Sequence, residues 1–410
     1  DLKVLEQQVE QYSFERHLQP LWQLYLQQQQ IMSFALPNSA DKLIENYENI
    51  VEQTDNAHKT VQLEANFYWL FLDSINAVWL EDNWIVAFND SHQQTIPVVM
   101  SGIEKLGRVA KLAECLQRAW VYYVPFVFLQ DGEAYSSMLK PSLWLLGEKT
   151  SDSSHHLAAL QPLIQQAHAY HHTDIATTEF ARSSIMAMLA TRVSFMNELS
   201  RLADSQQVDI DQVSHIIGLD TRVGSSYLQA GWGFGGNTLP TELKKLQQSG
   251  LDNSVNMPLL ESVMHINGDQ KELIFRKFWQ YFDGFIDNKT VMIWGGSYKS
   301  GSGRIAGSAI HPLLDLLWSY NIKTLVYSDK AQTALAKHYG EQSLLQLLDS
   351  PYQKINEAQA IFIISLSPQQ QLDMAQLNQL AVPIFDAQNA LTRMQINALV
   401  GDYVGIGRAK

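Results

Sequence analysis

The sequence predicts an α/β protein with two Rossmann-like parallel-sheet domains joined by a central helical domain that contains a long helix. Three observations predict this class. Short apolar runs alternate with helical patterns in the first part of the 410-residue chain, helical periodicity begins at Thr178, and strand-and-helix alternation returns at Val291. Such alternation is typical of parallel sheets flanked by helices. We place the domains at residues 1–175, 176–285 and 286–410, close to the usual ~150 residues per domain.

Buried strands are predicted wherever a short apolar run is bounded by polar residues. In the first domain these runs are residues 31–35, 66–72, 97–100, 119–124 and 142–146. In the last domain they are residues 291–294, 325–327, 361–364 and 383–385. The predicted strand 291–294 is followed by a glycine turn and by a helix from Ser308, as expected for a strand-turn-helix unit.

A long helix is predicted from Thr178, with Glu179 in its first turn, and a mostly helical region continues to about Tyr281. Apolar residues recur along it at helical spacing: Ile185, Met188, Leu189, Val193, Met196, Leu199 and Ala203. This spacing gives one continuous apolar face, longer than one domain contact requires. We therefore expect a homodimer through this helix, with an intramolecular core as the alternative.

Composition and charge exclude several classes of protein. The net charge of −13 disfavours nucleic acid and anionic membrane surfaces, because both demand clusters of Lys and Arg. The single cysteine, Cys115, excludes an internal disulfide framework, and we interpret it as a packing residue. No run of about 18 apolar residues is present. We expect a soluble, cytoplasmic protein.

Glycine is absent from the first 101 residues, and Gly102 is the first in the chain. At about 7% average usage, a hundred residues would hold about seven. A dinucleotide-binding fold needs glycine in its first strand-to-helix turn, where the backbone approaches the pyrophosphate. The first domain is therefore predicted to have lost its cofactor.

Residues 218–242 read Gly-Leu-Asp-Thr-Arg-Val-Gly-Ser-Ser-Tyr-Leu-Gln-Ala-Gly-Trp-Gly-Phe-Gly-Gly-Asn-Thr-Leu-Pro-Thr-Glu. This segment resembles the active-site loop of the UDP-glucose/GDP-mannose dehydrogenase family, Gly-Phe/Tyr-Gly-Gly-Ser-Cys-Phe-Pro-Lys-Asp. Further blocks follow in family order: residues 190–198 resemble its central helix, 298–302 its Lys turn, and 384–389 and 403–408 its ending. The resemblance covers residues 180–410 well and the N-terminal part weakly.

The resemblance implies oxidation of the primary alcohol of a nucleotide sugar to a carboxylate, with two NAD and a covalent intermediate on cysteine. Thr238 occupies the cysteine position, and a hydroxyl without an adjacent base is a weak nucleophile. The other catalytic positions of the family hold Val127, Arg182, Met186 and Glu242. Loss of one oxyanion donor, as at Met186, typically lowers the rate by about 10² to 10³. We expect no intact catalytic site.

Two positions for the cofactor have also changed. Ala35 stands where the family carries the acidic residue for the ribose hydroxyls, and Gly102 replaces a hydroxyl near the nicotinamide. Glu6, Glu10 and Glu15 surround the predicted first turn and would repel a pyrophosphate. We predict that the chain binds no cofactor.

Substrate recognition is only partly changed. Arg222, Phe234, Gly235, Gly236 and Lys299 match family positions that contact the nucleotide sugar. Two family arginines are replaced, by Ala306 and by Gln388. The matching residues either retain some affinity for a UDP- or GDP-sugar or only maintain the shape of the loop.

A metal site is the weakest candidate. His168, His171 and His172 would share one face of a helix, but no further ligand stands at a suitable spacing. We interpret them as a solvated polar face and predict no metal.

Three interpretations of function follow. The first is a non-catalytic homologue of nucleotide-sugar 6-dehydrogenases with a structural or regulatory role in polysaccharide or nucleotide-sugar metabolism, as a homodimer or as a heteromer with an active paralogue. The second is a nucleotide-sugar-binding module without oxidation. The third is an active enzyme with displaced catalytic groups or a cofactor motif before Asp1.

Overall fold

The computed structural model describes residues 67–72, 77–127, 137, 140–366 and 372–408. By its internal contacts the chain divides into two compact units, residues 1–182 and 183–410. The fold is mixed α/β with two largely parallel sheets and a helical middle region, which confirms the predicted class. The predicted boundaries after residues 175 and 285 stay predictions. Within the described part, no helix is long and apolar enough to cross a membrane.

The first unit contains a sheet of five described strands in the order β1-β2-β3-β4-β5. The strands are β1 (Tyr68–Phe71), β2 (Ile96–Ser101), β3 (Ala119–Tyr123), β4 (Trp144–Glu148) and β5 (Tyr170–Asp174). Neighbouring strands are parallel except β3 and β4, which pair antiparallel. Strands β1 to β4 correspond to predicted runs, and the run at residues 31–35 lies outside the described residues.

Strand β5 corrects the prediction for the histidines. His171 and His172 lie in this strand, so they alternate between its faces and share no helix face with His168. Most of the strand is exposed and polar. The sequence therefore shows no apolar run there by which the strand is recognised.

The helices of the first unit cover the sheet. They are α1, a continuous segment of Ala77–Trp79, the π-helical Leu80–Ile85 and Val86–Ser91; α2 (Arg108–Cys115); the 3-10 segment Ser154–Leu160; and α3 (Gln161–Ile164). Residue 147 in β4 must be glycine because the long helix Ile175–Gln206 packs closely against it. A Cβ atom there would lie 2.9 Å from both the Cα of Ile175 and the Oγ1 of Thr178.

The long helix α4 (Ile175–Gln206) begins three residues before the predicted start. The Asp174 carboxylate accepts a hydrogen bond from the Thr177 amide at 2.8 Å and so caps the first turn. Glu179 therefore lies beyond the first turn, contrary to the prediction. The predicted apolar face is also divided: Met196 is fully buried, whereas Met188 is 62% exposed.

The second unit continues with helices and then a second sheet. Its helices are α5 (Ile210–Leu219), α6 (Thr238–Asp252), α7 (Pro258–Tyr281), α8 (Ile310–Ser319), α9 (Gln332–Tyr339), α10 (Met374–Leu380) and α11 (Arg393–Ala398), with a 3-10 turn at Ile355–Glu357. Its strands are β6 (Thr290–Trp294), β7 (Lys323–Tyr327), β8 (Leu345–Leu347), β9 (Ala360–Ile363), β10 (Ile384–Asp386) and β11 (Tyr403–Gly405).

The second sheet is parallel throughout, in the order β11-β10-β9-β6-β7-β8. Successive residues of β6 alternate between two apolar clusters: Val291 and Ile293 belong to one, and Met292 and Trp294 to the other. A strand that is buried on both faces is typical of parallel sheets. The carboxyl ends of β6, β9 and β10 therefore lie side by side at one edge, where open α/β sheets bind ligands.

Candidate functional site

The glycine loop that resembles the family's active site packs against a second loop of the same unit, residues 298–307. The Gly236 amide donates to the Ala306 carbonyl at 3.1 Å. A Cβ atom at Gly235 would lie 2.6 Å from the Gly307 carbonyl oxygen, and one at Gly236 would lie 2.7 Å from the Tyr298 ring. Both positions therefore require glycine because backbone and ring pack directly on the loop.

Two side chains of α7 hold this arrangement. Asn267 accepts from the Phe234 amide at 2.7 Å and donates to the Phe234 carbonyl at 3.1 Å. Lys271 donates to the Gly307 carbonyl at 2.9 Å, and burial lowers the pKa of its ammonium. Among the described residues around Phe234 and Tyr298, no space remains for a water molecule.

Thr238, at the position of the family's cysteine, is the first residue of α6 and is exposed. Within the described part of the chain, no hydrogen bond joins its hydroxyl to a base. A threonine hydroxyl needs such a base to act as a nucleophile. The geometry thus supplies no activation for this residue.

Two further residues of the second unit stand at predicted catalytic positions of the family, and both are buried. Glu242, on the next turn of α6, is 1% exposed, and its Oε2 accepts a hydrogen bond from the Ser183 hydroxyl at 2.9 Å. Met186 is 7% exposed and has no polar hydrogen to donate. Glu242 therefore acts as a partner of the long helix in the interior of this unit.

In the first unit, Arg182 and Val127 have structural contacts. The Nε of buried Arg182 donates to the Pro125 carbonyl at 3.0 Å, so this cation binds the main chain after β3. Val127 packs at the edge of an apolar cluster that includes Trp144. Val127 supplies no group for proton transfer, since its side chain is apolar.

Glu179 is a buried carboxylate that sequence reasoning placed wrongly. Its Oε1 accepts from the Val109 amide at 3.0 Å and its Oε2 from the Ala110 amide at 3.2 Å. Helix N-termini bind anions in many α/β folds, and here an internal side chain occupies the start of α2. Burial raises the pKa of Glu179, and these hydrogen bonds only partly oppose the shift.

Stacked aromatic rings occupy the carboxyl edge of the first sheet. Trp69 stacks on Phe71 with centroids 5.7 Å apart and on Phe126 with centroids 5.5 Å apart. The Trp69 indole donates to the hydroxyl of buried Ser101, which donates to the Val124 carbonyl. No sequence motif marks this stack, because Phe126 is distant in the chain from Trp69 and Phe71.

Gly102, the predicted degenerate cofactor position, follows this serine with a φ of 125°. Its carbonyl accepts from the Tyr123 hydroxyl at 2.9 Å. The other such position, Ala35, and the acidic residues Glu6, Glu10 and Glu15 lie outside the described residues.

The remaining substrate candidates are surface cations. Arg222 is exposed and forms a two-point contact with Asp220, with Nε to Oδ1 at 3.0 Å. Lys299 is exposed, and Arg304 lies over the Tyr298 ring at 5.8 Å. Arg222, Lys299 and Arg304 do not line the tightly packed space around Phe234 and Tyr298.

A cleft of about 860 Å³ opens elsewhere in the second unit. Its lining is Asp211, Ser214, His215, Gly218, Leu219, Ser225, Gln229, Ala230, Ser300, Leu366, Leu372, Gln388, Asn389, Ala390 and Gln395. None of the five predicted substrate residues is among them. Only Gln388 was singled out from the sequence, as a replaced arginine. Eight of the lining residues lie in the sequence blocks 218–242, 298–302 and 384–389 that resemble the family.

Comparison with known proteins connects these observations. Residues 176–269 match the family model described as UDP-glucose/GDP-mannose dehydrogenase family, central domain. The UDP-glucose 6-dehydrogenase of Pseudomonas aeruginosa is 28% identical over 290 residues, covering 69% of this chain and 64% of that protein. A UDP-glucose 6-dehydrogenase of Bacillus subtilis is 27% identical over 287 residues, covering 68% of this chain and 63% of that protein.

Solved structures share the fold. A UDP-glucose dehydrogenase from Pyrobaculum islandicum has a TM-score of 0.67 at 20% identity, covering 77% of this chain and 72% of that chain. The UDP-D-ManNAc dehydrogenase of Pyrococcus horikoshii has a TM-score of 0.67 at 15% identity, covering 84% and 82%. Residues 176–269 are thus similar to the central domain of the UDP-glucose/GDP-mannose dehydrogenase family, and the chain shares the fold of solved UDP-sugar dehydrogenases. The chain spans just under two thirds of the length of the curated relatives described above.

Proposed function

We propose that the chain is a non-catalytic member of this family, with a structural or regulatory role in polysaccharide or nucleotide-sugar metabolism in the cytoplasm. The observation that carries the proposal is Thr238, an exposed residue at the position of the family's cysteine. Among the described residues, no base is hydrogen-bonded to its hydroxyl. Thiolate chemistry is not available to a hydroxyl, whose ordinary pKa lies far above that of cysteine.

The surrounding groups support the same conclusion. Glu242 is buried against Ser183, and Arg182 is bonded to the main chain. The aromatic rings of Trp69, Phe71 and Phe126 stack near the carboxyl ends of β1 and β3, the side of a parallel sheet at which α/β folds bind ligands. Restoring catalysis would therefore require several simultaneous changes.

Assembly is the role that the surface of α4 supports. Met188, Phe195 and Leu202 are 62%, 50% and 58% exposed and are spaced seven residues apart, so they form one apolar stripe on the helix. We call these three residues the α4 stripe. Exposed apolar patches of this kind mark interaction sites. We propose that the stripe joins two copies of this chain, or this chain and an active paralogue.

The test of function is the formation of NADH, followed by its near-ultraviolet absorbance, with UDP-glucose, UDP-N-acetylmannosamine and GDP-mannose. An active family member serves as the positive control under the same conditions. We expect no turnover above the enzyme-free rate. Turnover with any of these sugars would overturn the proposal and establish that other groups perform the chemistry.

A further inference from the structure

We infer that His311 makes the contact between α8 and the end of α9 depend on pH: the contact forms while the imidazole is neutral and breaks when the ring is protonated. This inference goes beyond the proposed function, because it holds whether or not the chain is catalytic. His311 lies in the first turn of α8, and Tyr339 is the last residue of α9. Histidine is the side chain whose ordinary titration falls near neutral pH.

Both ring nitrogens of His311 are occupied. Nε2 lies 2.8 Å from the Ile305 carbonyl oxygen, and Nδ1 lies 2.6 Å from the Tyr339 hydroxyl. A carbonyl can only accept, so Nε2 carries the hydrogen, and the neutral ring offers the lone pair of Nδ1 to the Tyr339 hydroxyl. The hydrogen-bond pattern therefore selects one neutral tautomer of His311.

Tyr339 is the donor in this contact. Burial raises the pKa of its phenol, so the hydroxyl keeps its proton through the neutral and acidic range. Among the described residues, the His311 ring is the one hydrogen-bond partner of this hydroxyl. The Tyr339 ring also packs edge-on against Trp318 of α8, with centroids 5.1 Å apart. The end of α9 is thus fastened to α8 through Tyr339.

Protonation of His311 removes the acceptor for Tyr339. Nδ1 then carries a hydrogen and can only donate, so two donors face each other. Tyr339 could accept from the ring only if its own hydrogen had another acceptor, and in the described structure no other acceptor bonds this hydroxyl. The bond from Nε2 to the Ile305 carbonyl is kept, because that nitrogen donates in both states. Protonation therefore breaks the contact to α9 and spares the contact to the loop 298–307.

The groups that face the ring also disfavour a positive charge on it. Burial lowers the pKa of His311, and the positive charges of His338 on α9 and Lys271 on α7 act in the same direction. The hydrogen bond to Ile305 and the carboxylate of Asp315, one turn later on α8, only partly oppose the shift. The pKa in the folded chain thus lies below the unfolded value of about 6.5. The stability from this contact is present above about pH 6.5 and is lost as pH falls through the folded pKa.

The consequence is confined to the second half of α9 and the connection that follows it. Leu335 fixes the first half, since it is fully buried and a Cβ atom at Gly296 would lie 2.8 Å from its Cδ1. After Tyr339 the chain leads to β8, the edge strand of the described sheet. Protonation of His311 therefore loosens residues 336–344, between the buried Leu335 and β8.

Hydrogen exchange of the complete chain from about pH 7.5 to about pH 5, corrected for the intrinsic pH dependence of exchange, tests the inference. We expect peptides over residues 336–344 to lose protection as pH falls, in step with the titration of His311 followed by ¹⁵N-histidine NMR. Peptides that contain Gly236, whose amide donates to the Ala306 carbonyl, are the internal reference and should keep their protection. Constant protection at residues 336–344, or equal loss in both segments, would overturn the inference.

Two variants separate the partners of the contact. His311→Gln can still donate to the Ile305 carbonyl but has no proton equilibrium, so residues 336–344 should show the same protection at every pH in this range. Tyr339→Phe removes only the hydroxyl. There we expect weaker protection at neutral pH without a further response to acid, and a raised pKa of His311, because the neutral ring has lost its donor.

His265→Gln, at an exposed position of α7, is the matched control and should keep the wild-type response to pH. A loss of protection at residues 336–344 that persists in His311→Gln would overturn the inference, as would an unchanged pKa of His311 in Tyr339→Phe. The proposed lack of dehydrogenase activity is tested separately by NADH formation.

Discussion

At the scale of single residues, three buried charged side chains, two of them at predicted catalytic positions of the family, make structural hydrogen bonds. Glu242 pairs with Ser183, Arg182 with the Pro125 carbonyl, and Glu179 with the amides that begin α2. Each contact lies within one unit of the chain. We expect these hydrogen bonds to contribute to the free energy of unfolding, which is measured without any substrate.

Glu179 gives stability a dependence on pH. Burial raises its pKa in the folded chain, so the folded state binds this proton more tightly than the unfolded state does. Its contribution is complete below the pKa of the unfolded chain, about 4.3, and is lost as pH rises through the folded pKa. We expect Glu179→Gln, which lacks this proton equilibrium, to become more stable relative to wild type as pH rises from about 4 to 7.

Urea unfolding midpoints across that pH range measure the difference. Glu198→Gln, an exposed position on the same helix, is the control and should show a constant difference from wild type. A stability difference for Glu179→Gln that stays constant or moves in the opposite direction would contradict the burial argument.

Thr238→Cys tests whether the missing thiol alone would account for the proposed lack of activity. We expect no NADH formation with the UDP- and GDP-sugars, because catalytic groups act as a unit and Val127 and Met186 supply no acid or oxyanion donor. Thr241→Cys on the same helix is the control for a new thiol, and labelling by a thiol reagent verifies that each thiol is reachable. Turnover in Thr238→Cys alone would mean that the supporting groups are assigned wrongly.

At the scale of elements, periodicity predicted most of the described fold. The apolar runs at residues 97–100, 119–124, 291–294 and 361–364 are strands because they are buried on both faces. Strand β5 was missed because its residues are mostly exposed and polar, so it contains no apolar run. The start of α4 was missed because only one residue, the capping Asp174, marks it in the sequence. The sequence blocks 218–242, 298–302 and 384–389 all contribute to the cleft beside α5, but their meeting at one place was not predicted because they are distant in the chain.

The junction of β4 and α4 depends on a glycine. Gly147→Ala would place Cβ 2.9 Å from the backbone of Ile175, so we expect a loss of about 1 to 3 kcal/mol in the free energy of unfolding. Gly268→Ala is the matched control, since this exposed glycine inside α7 has no atom within 4 Å of a new Cβ. There we expect a gain of about 0.5 to 1 kcal/mol. Thermal and urea unfolding of both variants check these values, and a neutral Gly147→Ala would contradict the close packing.

At the scale of the whole molecule, the α4 stripe predicts a dimer. Light scattering at micromolar protein should report twice the chain mass of 46.5 kDa. Phe195→Glu should give a monomer, because a buried unpaired charge at an interface is strongly unfavourable. Leu251→Glu, at a 69% exposed position outside the stripe, should leave the dimer intact. A wild-type monomer across dilution would contradict the proposed assembly.

The central claim is that this chain retains the dehydrogenase fold without its redox chemistry, and calorimetric titration of the complete chain with NAD tests it most directly. Ala35 and Gly102 stand at the positions that the sequence resemblance assigns to cofactor contacts, and stacked aromatic rings lie near the end of β1. The account predicts no saturable heat up to millimolar NAD, with or without a UDP- or GDP-sugar present. Saturable binding of NAD at micromolar concentrations would contradict it.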